Sequence, residues 1–267
     1  MTCVHADRSR PTSKRNLTRR RRFVVCTAAI FASASALIGW PSGSARGQTR
    51  PLPRAGSTGT LQGVVKLTGA APPRPTRVQN TTDPTVCGRA HTLEDWVISP
   101  QARGVQYVIL DLENIPPDQV PPVSPARLVL DNSRCRFVPH ASVLTVGSTI
   151  EMVNSDAVLH SVHFYGPMDV NIALPLKNMR VSRRVDAAGM IIVKCDVHGW
   201  MQSFVRVDAH PFHAVTDAAG SFRIAGVPPG EFVLHAWHEK LGDRRQTVRV
   251  RAGEVTTLAI ESSFELK

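Results

Sequence analysis

A short stretch in the second half of the chain carries three potential metal ligands. Cys195, His198 and Met201 lie in the string C-D-V-H-G-W-M, and His160 lies upstream within N-S-D-A-V-L-H-S-V-H-F. Together they offer a thiolate, two imidazoles and a thioether. Two histidines, one cysteine and a weak axial methionine form the ligand set of a type 1 (blue) copper electron-transfer site. The spacing Cys-x2-His-x2-Met after a distant histidine therefore predicts one copper ion per chain, held by these four residues.

Two other chemistries fit part of the same set. A cysteine and two histidines could hold zinc, although structural zinc sites usually take four cysteine or histidine ligands and no methionine. A catalytic Cys–His pair is the second alternative, since residues three apart in a tight loop could touch. No orienting acid and no oxyanion signature accompanies the pair, and Asp196 has no clear role in either alternative. We therefore expect no catalytic residue and no enzyme activity.

The other histidines are interpreted as non-ligands. His163 is three residues beyond His160, so on a strand the two side chains would face opposite sides. His140 could form a second site near Cys135, but a surface histidine is the simpler interpretation. The remaining histidines of the C-terminal region are also expected at the surface; they are His210, His213, His235 and His238.

The first 47 residues have the composition of an export signal. Four arginines, Arg19 to Arg22, precede an apolar run from Phe23 to Trp40, and small residues follow near Ala45 and Gly47. This order is typical of a secretory signal peptide, and R-R-R-F-V-V loosely fits the twin-arginine export pattern. The run is short and rich in Ala, Ser and Thr, so no stable membrane span is expected. We therefore expect the mature protein to be periplasmic or secreted.

Most of the net charge belongs to this segment. The chain carries 32 Lys and Arg against 21 Asp and Glu, a formal net charge of +11. Residues 1–47 contain nine of the basic residues and one of the acidic residues, which leaves 23 against 20 and a net charge of +3. No basic stripe with interleaved aromatic residues remains, so nucleic-acid binding is not expected.

Three cysteines follow the signal segment: Cys87, Cys135 and Cys195. An odd count in an exported protein leaves one thiol with a role other than pairing. The simplest assignment is a disulfide between Cys87 and Cys135 in an oxidising compartment, with Cys195 as a metal thiolate. A buried free thiol at Cys195, or a different pairing that involves it, are the alternatives.

From Gly59 onward the chain has the pattern of an all-β protein. Short segments alternate apolar and polar residues, as half-buried strands do, and turn residues separate them. No 3.6-residue apolar period is sustained, and the 20 prolines and 18 glycines favour a β-sandwich. The predicted strands are Thr60–Leu67, Val105–Leu112, Arg127–Leu130, Ser142–Val146, Thr149–Asn154, Val181–Val185, Met190–Lys194, Ser203–Val207, Ser221–Ile224, Glu231–Trp237, Gln246–Arg251 and Val255–Glu261.

The string H-S-V-H-F joined to K-C-D-V-H-G-W-M resembles the cupredoxin family, and its amicyanin/plastocyanin branch in particular. The resemblance covers roughly residues 126–208. It implies a Greek-key β-sandwich in which the four residues named above bind copper. Ser161 stands where the family commonly has an Asn that pins the two ligand loops together. Asp196 stands where the residue after the cysteine is usually small.

The C-terminal string T-D-A-A-G-S-F-R-I-A-G-V-P-P-G-E-F-V-L-H-A-W-H-E resembles the carboxypeptidase regulatory-like (transthyretin-like) β-sandwich. That accessory module implies no peptidase activity. The predicted organisation is a signal peptide at 1–47, a linker at 48–57, a cupredoxin-like domain with an N-terminal extension at 58–208, and the small module at 209–267. The extension, residues 59–125, is expected to be closed by the Cys87–Cys135 bridge.

These features predict an exported single-copper electron carrier. The expected partner is a redox protein such as a c-type cytochrome or a dehydrogenase, and electrons are expected to pass through the ligand imidazole that reaches the surface, His198. Two other functions stay open. One is an envelope binding or structural β-sandwich protein without a redox role, and the other is a copper storage or delivery protein.

Overall fold

A computed structural model describes residues 58–69 and 74–263, with side chains up to residue 261. The predicted signal peptide and linker lie outside the described residues. The regular secondary structure of the described residues is almost entirely β-strand, which confirms the predicted all-β class.

In chain order the elements are β1 (Gly59–Thr68), β2 (Arg77–Gln79), α1 (Pro84–Cys87), β3 (Ala90–Thr92), β4 (Ile109–Glu113), a 3-10 helix (Pro117–Gln119), β5 (Arg127–Asn132), β6 (Phe137–Val138), β7 (Ala141–Thr145), β8 (Thr149–Asn154), β9 (His160–Tyr165), β10 (Val170–Leu174), β11 (Arg180–Arg184), β12 (Gly189–Lys194), β13 (Gln202–Asp208), β14 (His213–Val215), β15 (Ser221–Val227), β16 (Gly230–His238), β17 (Gly242–Val250) and β18 (Val255–Ser263).

The strands between residues 127 and 208 form one β-sandwich. One sheet has the order β10-β9-β12-β13-β7 and the other has the order β11-β8-β5-β6. Alternate side chains of both sheets point inward, and they include Met152 of β8, Phe164 of β9 and Val205 of β13 in one buried apolar core. This sandwich supplies the rigid framework for the residues of the predicted metal site.

A second sandwich joins strands from both ends of the described chain. Its sheets have the orders β14-β4-β16-β17 and β15-β1-β18. β1 pairs antiparallel with β15 and parallel with β18, while β4 pairs antiparallel with β14 and β16. Leu61 of β1, Leu112 of β4 and Leu234 of β16 are buried in its core. Strands β1 and β4 come from the predicted N-terminal extension, yet they pair with strands that follow residue 208. The predicted domain boundary at that residue stays a prediction.

Most predicted strands are present within a few residues of their predicted ends. The segment predicted to be a strand from Val105 becomes one only at Ile109, because Tyr107 has a left-handed backbone with φ 66° that interrupts the extended conformation. Six strands were not predicted: β2, β3, β6, β9, β10 and β14. The sequence of β9, H-S-V-H-F-Y, shows no clear apolar–polar alternation, because the polar residues His160 and Ser161 are buried together with Val162.

Residues 77–92 form a separate two-stranded hairpin, which we call the 77–92 hairpin. Its strands β2 and β3 pair antiparallel, with Val78 opposite His91. The short helix α1 forms its tip. At its base, Thr76 donates hydrogen bonds from its backbone N–H and its hydroxyl to the Asp95 carboxylate. The base of the hairpin is therefore tied to the residues that follow β3.

Candidate metal centre

Two elements of the first sandwich bring the predicted ligands together. His160 is the first residue of β9, and Cys195 follows the last residue of β12. The loop from Cys195 to Met201 is closed by two backbone hydrogen bonds, from Cys195 N–H to the Met201 carbonyl at 3.3 Å and from Met201 N–H to the His198 carbonyl at 2.9 Å. Because β9 pairs with β12, the start of one strand lies beside the end of the other. The sheet therefore fixes where the two ligand segments meet.

The side chains of His160, Cys195 and His198 converge in a closed site. The two Nδ1 atoms are 3.0 Å apart, and the Cys195 Sγ lies 3.9 Å from Nδ1 of His160 and 3.8 Å from Nδ1 of His198. Both histidines are 0% exposed and Cys195 is 2% exposed. A cysteine sulfur and two imidazole nitrogens thus face one point from which solvent is excluded.

The triangle of donor atoms has the dimensions of a metal site. The three donor atoms lie 3.0 Å, 3.8 Å and 3.9 Å apart, so all three could reach one ion at ordinary metal–ligand lengths. The donor set is soft, which suits copper. The three residues therefore fit the predicted ion.

The outer nitrogen of His160 is held by a carboxylate. Its Nε2 donates to Asp156 Oδ2 at 3.0 Å, and the same carboxylate accepts the backbone N–H groups of Arg134 and Cys135, each at 2.8 Å. With the proton on Nε2, Nδ1 keeps its lone pair for the ion. Burial lowers the pKa of His160, while the Asp156 hydrogen bond acts in the opposite direction. Burial thus favours the neutral imidazole that a metal needs.

Two backbone N–H groups lie against the sulfur of Cys195. The backbone N–H groups of Ser161 and His198 each point at Cys195 Sγ from 3.4 Å. The Ser161 hydroxyl accepts the N–H of Asp196 at 2.7 Å, which ties the start of β9 to the residue after the cysteine. Ser161 therefore joins the two ligand loops.

The outer edge of His198 is covered by the tip of the 77–92 hairpin. Its Nε2 lies 3.2 Å from Asp83 Oδ2 and 3.6 Å from Cys87 Sγ. The expectation that His198 reaches the surface is therefore wrong. The pattern of the ligand loop could not reveal this, because the covering residues come from more than a hundred positions earlier in the chain.

The fourth predicted ligand lies in the same core. Met201 is 2% exposed and belongs to the buried apolar cluster that also contains Cys195. Trp200 is half-buried; its ring centroid is 5.0 Å from that of His198, and its Nε1–H donates to the Cys135 carbonyl at 3.0 Å. The Met201 backbone is therefore tied to the ligand loop, the Met201 side chain is buried in the same core as Cys195, and the indole shields His198.

The disulfide between Cys87 and Cys135 is confirmed, and Cys195 is a free, buried cysteine. The bridge does more than close the N-terminal region. Cys87 touches the outer nitrogen of His198, and the Cys135 N–H binds the carboxylate that holds His160. The disulfide therefore lies next to Asp83 and Asp156, the two carboxylates that face the outer nitrogens of the ligand histidines.

Three other histidines differ from expectation, whereas His163 faces away from the donor triangle as predicted. His163 lies on β9 with Nδ1 3.1 Å from an Asp196 oxygen and 2.8 Å from the Tyr165 hydroxyl, away from the donor triangle. The predicted surface positions of three histidines are wrong, because each is buried against a carboxylate or an aromatic ring. These are His140, which bonds Glu239, His235, which bonds Asp111 and Asp243, and His238, which packs on Trp96.

Two residues of the site had no sequence signal. Asp83 and Asp156 lie in loops whose composition suggests only turns, and nothing in their spacing links them to the histidines. Asp156 precedes His160 by four residues within S-D-A-V-L-H, and this closeness in sequence was the only hint that the two side chains could meet.

Comparisons with known proteins find partial likenesses. A family model described as polysaccharide lyase family 4, domain II, matches residues 183–258, whereas no curated protein matches the chain. The match includes the Cys195–Met201 loop and most of the predicted module at 209–267, under a different family description. The carboxypeptidase regulatory-like module therefore stays a prediction.

Several solved structures that match are copper proteins. Amicyanin, as the Cu(I) form of a point mutant, matches at 22% identity over 37% of this chain and 98% of its own, with a TM-score of 0.28. A purple cupredoxin from Nitrosopumilus maritimus matches at 20% identity over 31% and 99%, with a TM-score of 0.27. The copper-containing nitrite reductase of Thermus scotoductus SA-01 matches at 21% identity and a TM-score of 0.29, over 35% of this chain and only 27% of the reductase.

Each of these three likenesses is confined to about a third of this chain. Among the described residues, no helix has the length and apolar character needed to cross a membrane.

Proposed function

We propose that this protein is an exported carrier of single electrons that holds one copper ion at His160, Cys195, His198 and Met201, and that it is not an enzyme. One observation carries the proposal. The Nδ1 atoms of two buried histidines lie 3.0 Å apart, while each outer nitrogen already faces a carboxylate. If both protons stay on the outer nitrogens, the two Nδ1 lone pairs face each other, and a cation between them would stabilise this arrangement. A nearby cysteine sulfur makes a soft, redox-active ion the best candidate.

When bound, copper supplies one-electron chemistry between Cu(I) and Cu(II). The chain's own contribution is rigidity. The β9–β12 pairing and the Ser161–Asp196 hydrogen bond hold the ligand segments in one arrangement. The two carboxylates keep the protons of both imidazoles on the outer nitrogens. Burial excludes water, so little reorganisation accompanies a change of charge at the site.

The proposed partner is another redox protein, such as a c-type cytochrome or a dehydrogenase, met outside the cytoplasm. Without the predicted export segment, the formal net charge of +3 gives no strong electrostatic selection. A transient encounter suits a carrier, because the partner must leave after each transfer.

Substitution of the cysteine tests the proposal. Copper-loaded wild type should show an intense visible absorption from thiolate-to-copper charge transfer, one copper per chain and reversible electrochemistry. Cys195→Ser should lose the band completely, because the sulfur supplies it. His163→Gln is the matched control: it removes an imidazole from the same strand that does not face the donor triangle, so its band should remain.

Three outcomes would replace the proposal. Colour that persists in Cys195→Ser would refute the ligand set. A tightly bound but colourless Cu(I) form without reversible electrochemistry would support storage or delivery instead. Absence of copper from protein purified out of the exported fraction, together with glycan binding, would support the envelope binding role.

A further inference from the structure

We propose that the 77–92 hairpin is a cap over the outer edge of the metal centre, and that Asp83 at its tip is the positioning residue for His198. The inference rests on the proposed function only for the identity of the metal. The cap belongs to this chain, and it closes the side of the ligand pair that the sequence pattern leaves open.

The contacts of the tip converge on one imidazole. Asp83 Oδ2 is 3.2 Å from His198 Nε2, and Cys87 Sγ is 3.6 Å from the same atom. His91 of β3 stacks on Trp200, with ring centroids 4.6 Å apart and planes inclined by 19°. The hairpin therefore covers both His198 and the indole beside it, and His198 is 0% exposed as a result.

The tip is shaped by its own hydrogen bonds. The Asn80 side chain donates to the Gly88 carbonyl at 2.6 Å, and its backbone N–H donates to the Arg89 carbonyl at 2.8 Å. Asp83 itself has a left-handed backbone with φ 48°, which Asp and Asn tolerate better than most residues. A local structure that places a carboxylate in a less favoured conformation, directly at a ligand histidine, indicates a functional constraint.

The cap is fixed to the body of the protein by the Cys87–Cys135 disulfide. Cys135 lies beside the other ligand histidine, since its N–H binds Asp156, the carboxylate that holds His160. One cross-link thus fastens the cap next to the outer partners of both histidines. The bridge joins residues 48 positions apart and restricts the motion of the hairpin relative to the sandwich.

The charge of Asp83 has a direct consequence for the metal. A carboxylate on the outer nitrogen fixes the tautomer and raises the basicity of a ligand imidazole. It therefore favours the more highly charged ion, Cu(II), over Cu(I). Its side chain is 40% exposed, so solvent reduces this effect without removing it.

Substitutions at Asp83 separate charge from position. Asp83→Asn keeps the shape, the acceptor oxygen and the tolerance of a left-handed backbone, whereas Asp83→Ala removes the acceptor as well. Asp186→Asn is the control: it neutralises an exposed carboxylate that pairs with Arg184 at the opposite end of β12 from Cys195. We expect Cu(II) affinity to fall roughly tenfold in both Asp83 variants, the range for outer partners of metal ligands, and the reduction potential to rise in both.

The copper-free protein gives an independent measurement. At pH 8, nitrogen NMR of the wild type should find His198 protonated at Nε2. Asp83→Asn should keep this tautomer and Asp83→Ala should lose it. An Asp83→Ala protein with an unchanged tautomer would overturn the positioning role, whether or not copper binds. Failure of every protein, including wild type, to bind copper would refute the proposed function and leave this test valid.

Loss of the disulfide tests the cap itself. In the double variant Cys87→Ser/Cys135→Ser, amide hydrogen exchange of residues 83–92 should accelerate at least roughly tenfold, while the amides of β12 and β13 keep their wild-type rates. Electron exchange of the copper-loaded double variant with a small inorganic oxidant such as ferricyanide should also accelerate. Unchanged rates in both measurements would show that the hairpin is not a cap held by the bridge.

Discussion

Single residues in this protein decide how rigidly the ligand atoms are held. The four predicted ligands follow from residue type and spacing, but the groups that orient them do not. Ser161 is the clearest case, because its N–H points at the thiolate while its hydroxyl accepts the Asp196 N–H. A small hydroxyl therefore ties the two ligand loops together.

Removal of this hydroxyl should loosen the site. We expect Ser161→Ala to lower the free energy of unfolding of the copper-free protein by about 1 kcal/mol, the net value of one buried hydrogen bond. Denaturant unfolding measures it. The matched control is Ser182→Ala, at an exposed position of β11, which should change stability by less than about 0.5 kcal/mol. Equal effects of the two substitutions would show that the Ser161 hydrogen bond is not stabilising.

At the scale of elements, the second sandwich depends on a close crossing of backbones. Gly104 bridges to Lys66 of β1 and lies against the turn that precedes β15. A Cβ at Gly104 would stand 1.8 Å from the Ala219 carbonyl oxygen, and one at Gly220 would stand 2.5 Å from the Val65 carbonyl oxygen. Two glycines thus permit an approach that no other residue allows, and Gly220 also has a φ of +79°.

A methyl group at this crossing should destabilise the fold strongly. We expect Gly104→Ala to cost about 3 kcal/mol, at the upper end for overpacking, because the atom it meets belongs to the backbone and cannot rotate away. Thermal unfolding provides the measurement. Gly199→Ala is the control, since a Cβ there meets nothing within 4 Å. Should Gly104→Ala unfold at the wild-type temperature, the crossing would not be as close as described.

At the scale of the whole molecule, the described residues form two sandwiches joined by an apolar layer and ion pairs. Ile109, Ala141 and Phe204 form the buried part of that layer. Beside it, Arg206 of β13 binds Asp111 of β4 at 3.0 Å. The grouping of Asp111 with Glu113 and His235 resembles a metal site, but arginines already neutralise both carboxylates. These contacts join strands from distant parts of the chain.

Stability of the protein should fall in mild acid because of a buried histidine. Burial lowers the pKa of His238 to about 4 from 6.5. Between about pH 6.5 and pH 4 only the unfolded chain binds this proton, so the free energy of unfolding decreases as the pH falls, by about 3 kcal/mol in total at about 1.4 kcal/mol per unit. His238→Gln should reduce the slope of the free energy of unfolding against pH by the contribution of about one proton, as measured by denaturant unfolding at a series of pH values. An identical pH dependence in the two proteins would contradict the assignment.

The sequence by itself determined the all-β class, most strands, the disulfide and the convergence of His160, Cys195 and His198. The class and the strands follow from alternation and turn residues within short segments, whereas the disulfide and the ligand set follow from the odd cysteine count and from ligand chemistry. Only the tertiary structure decided which strands share a sheet, since β1 and β18 are almost two hundred residues apart and no local pattern encodes their pairing. The same reason applies to Asp83: its contact with His198 exists only because the 77–92 hairpin is folded onto a site built by distant strands.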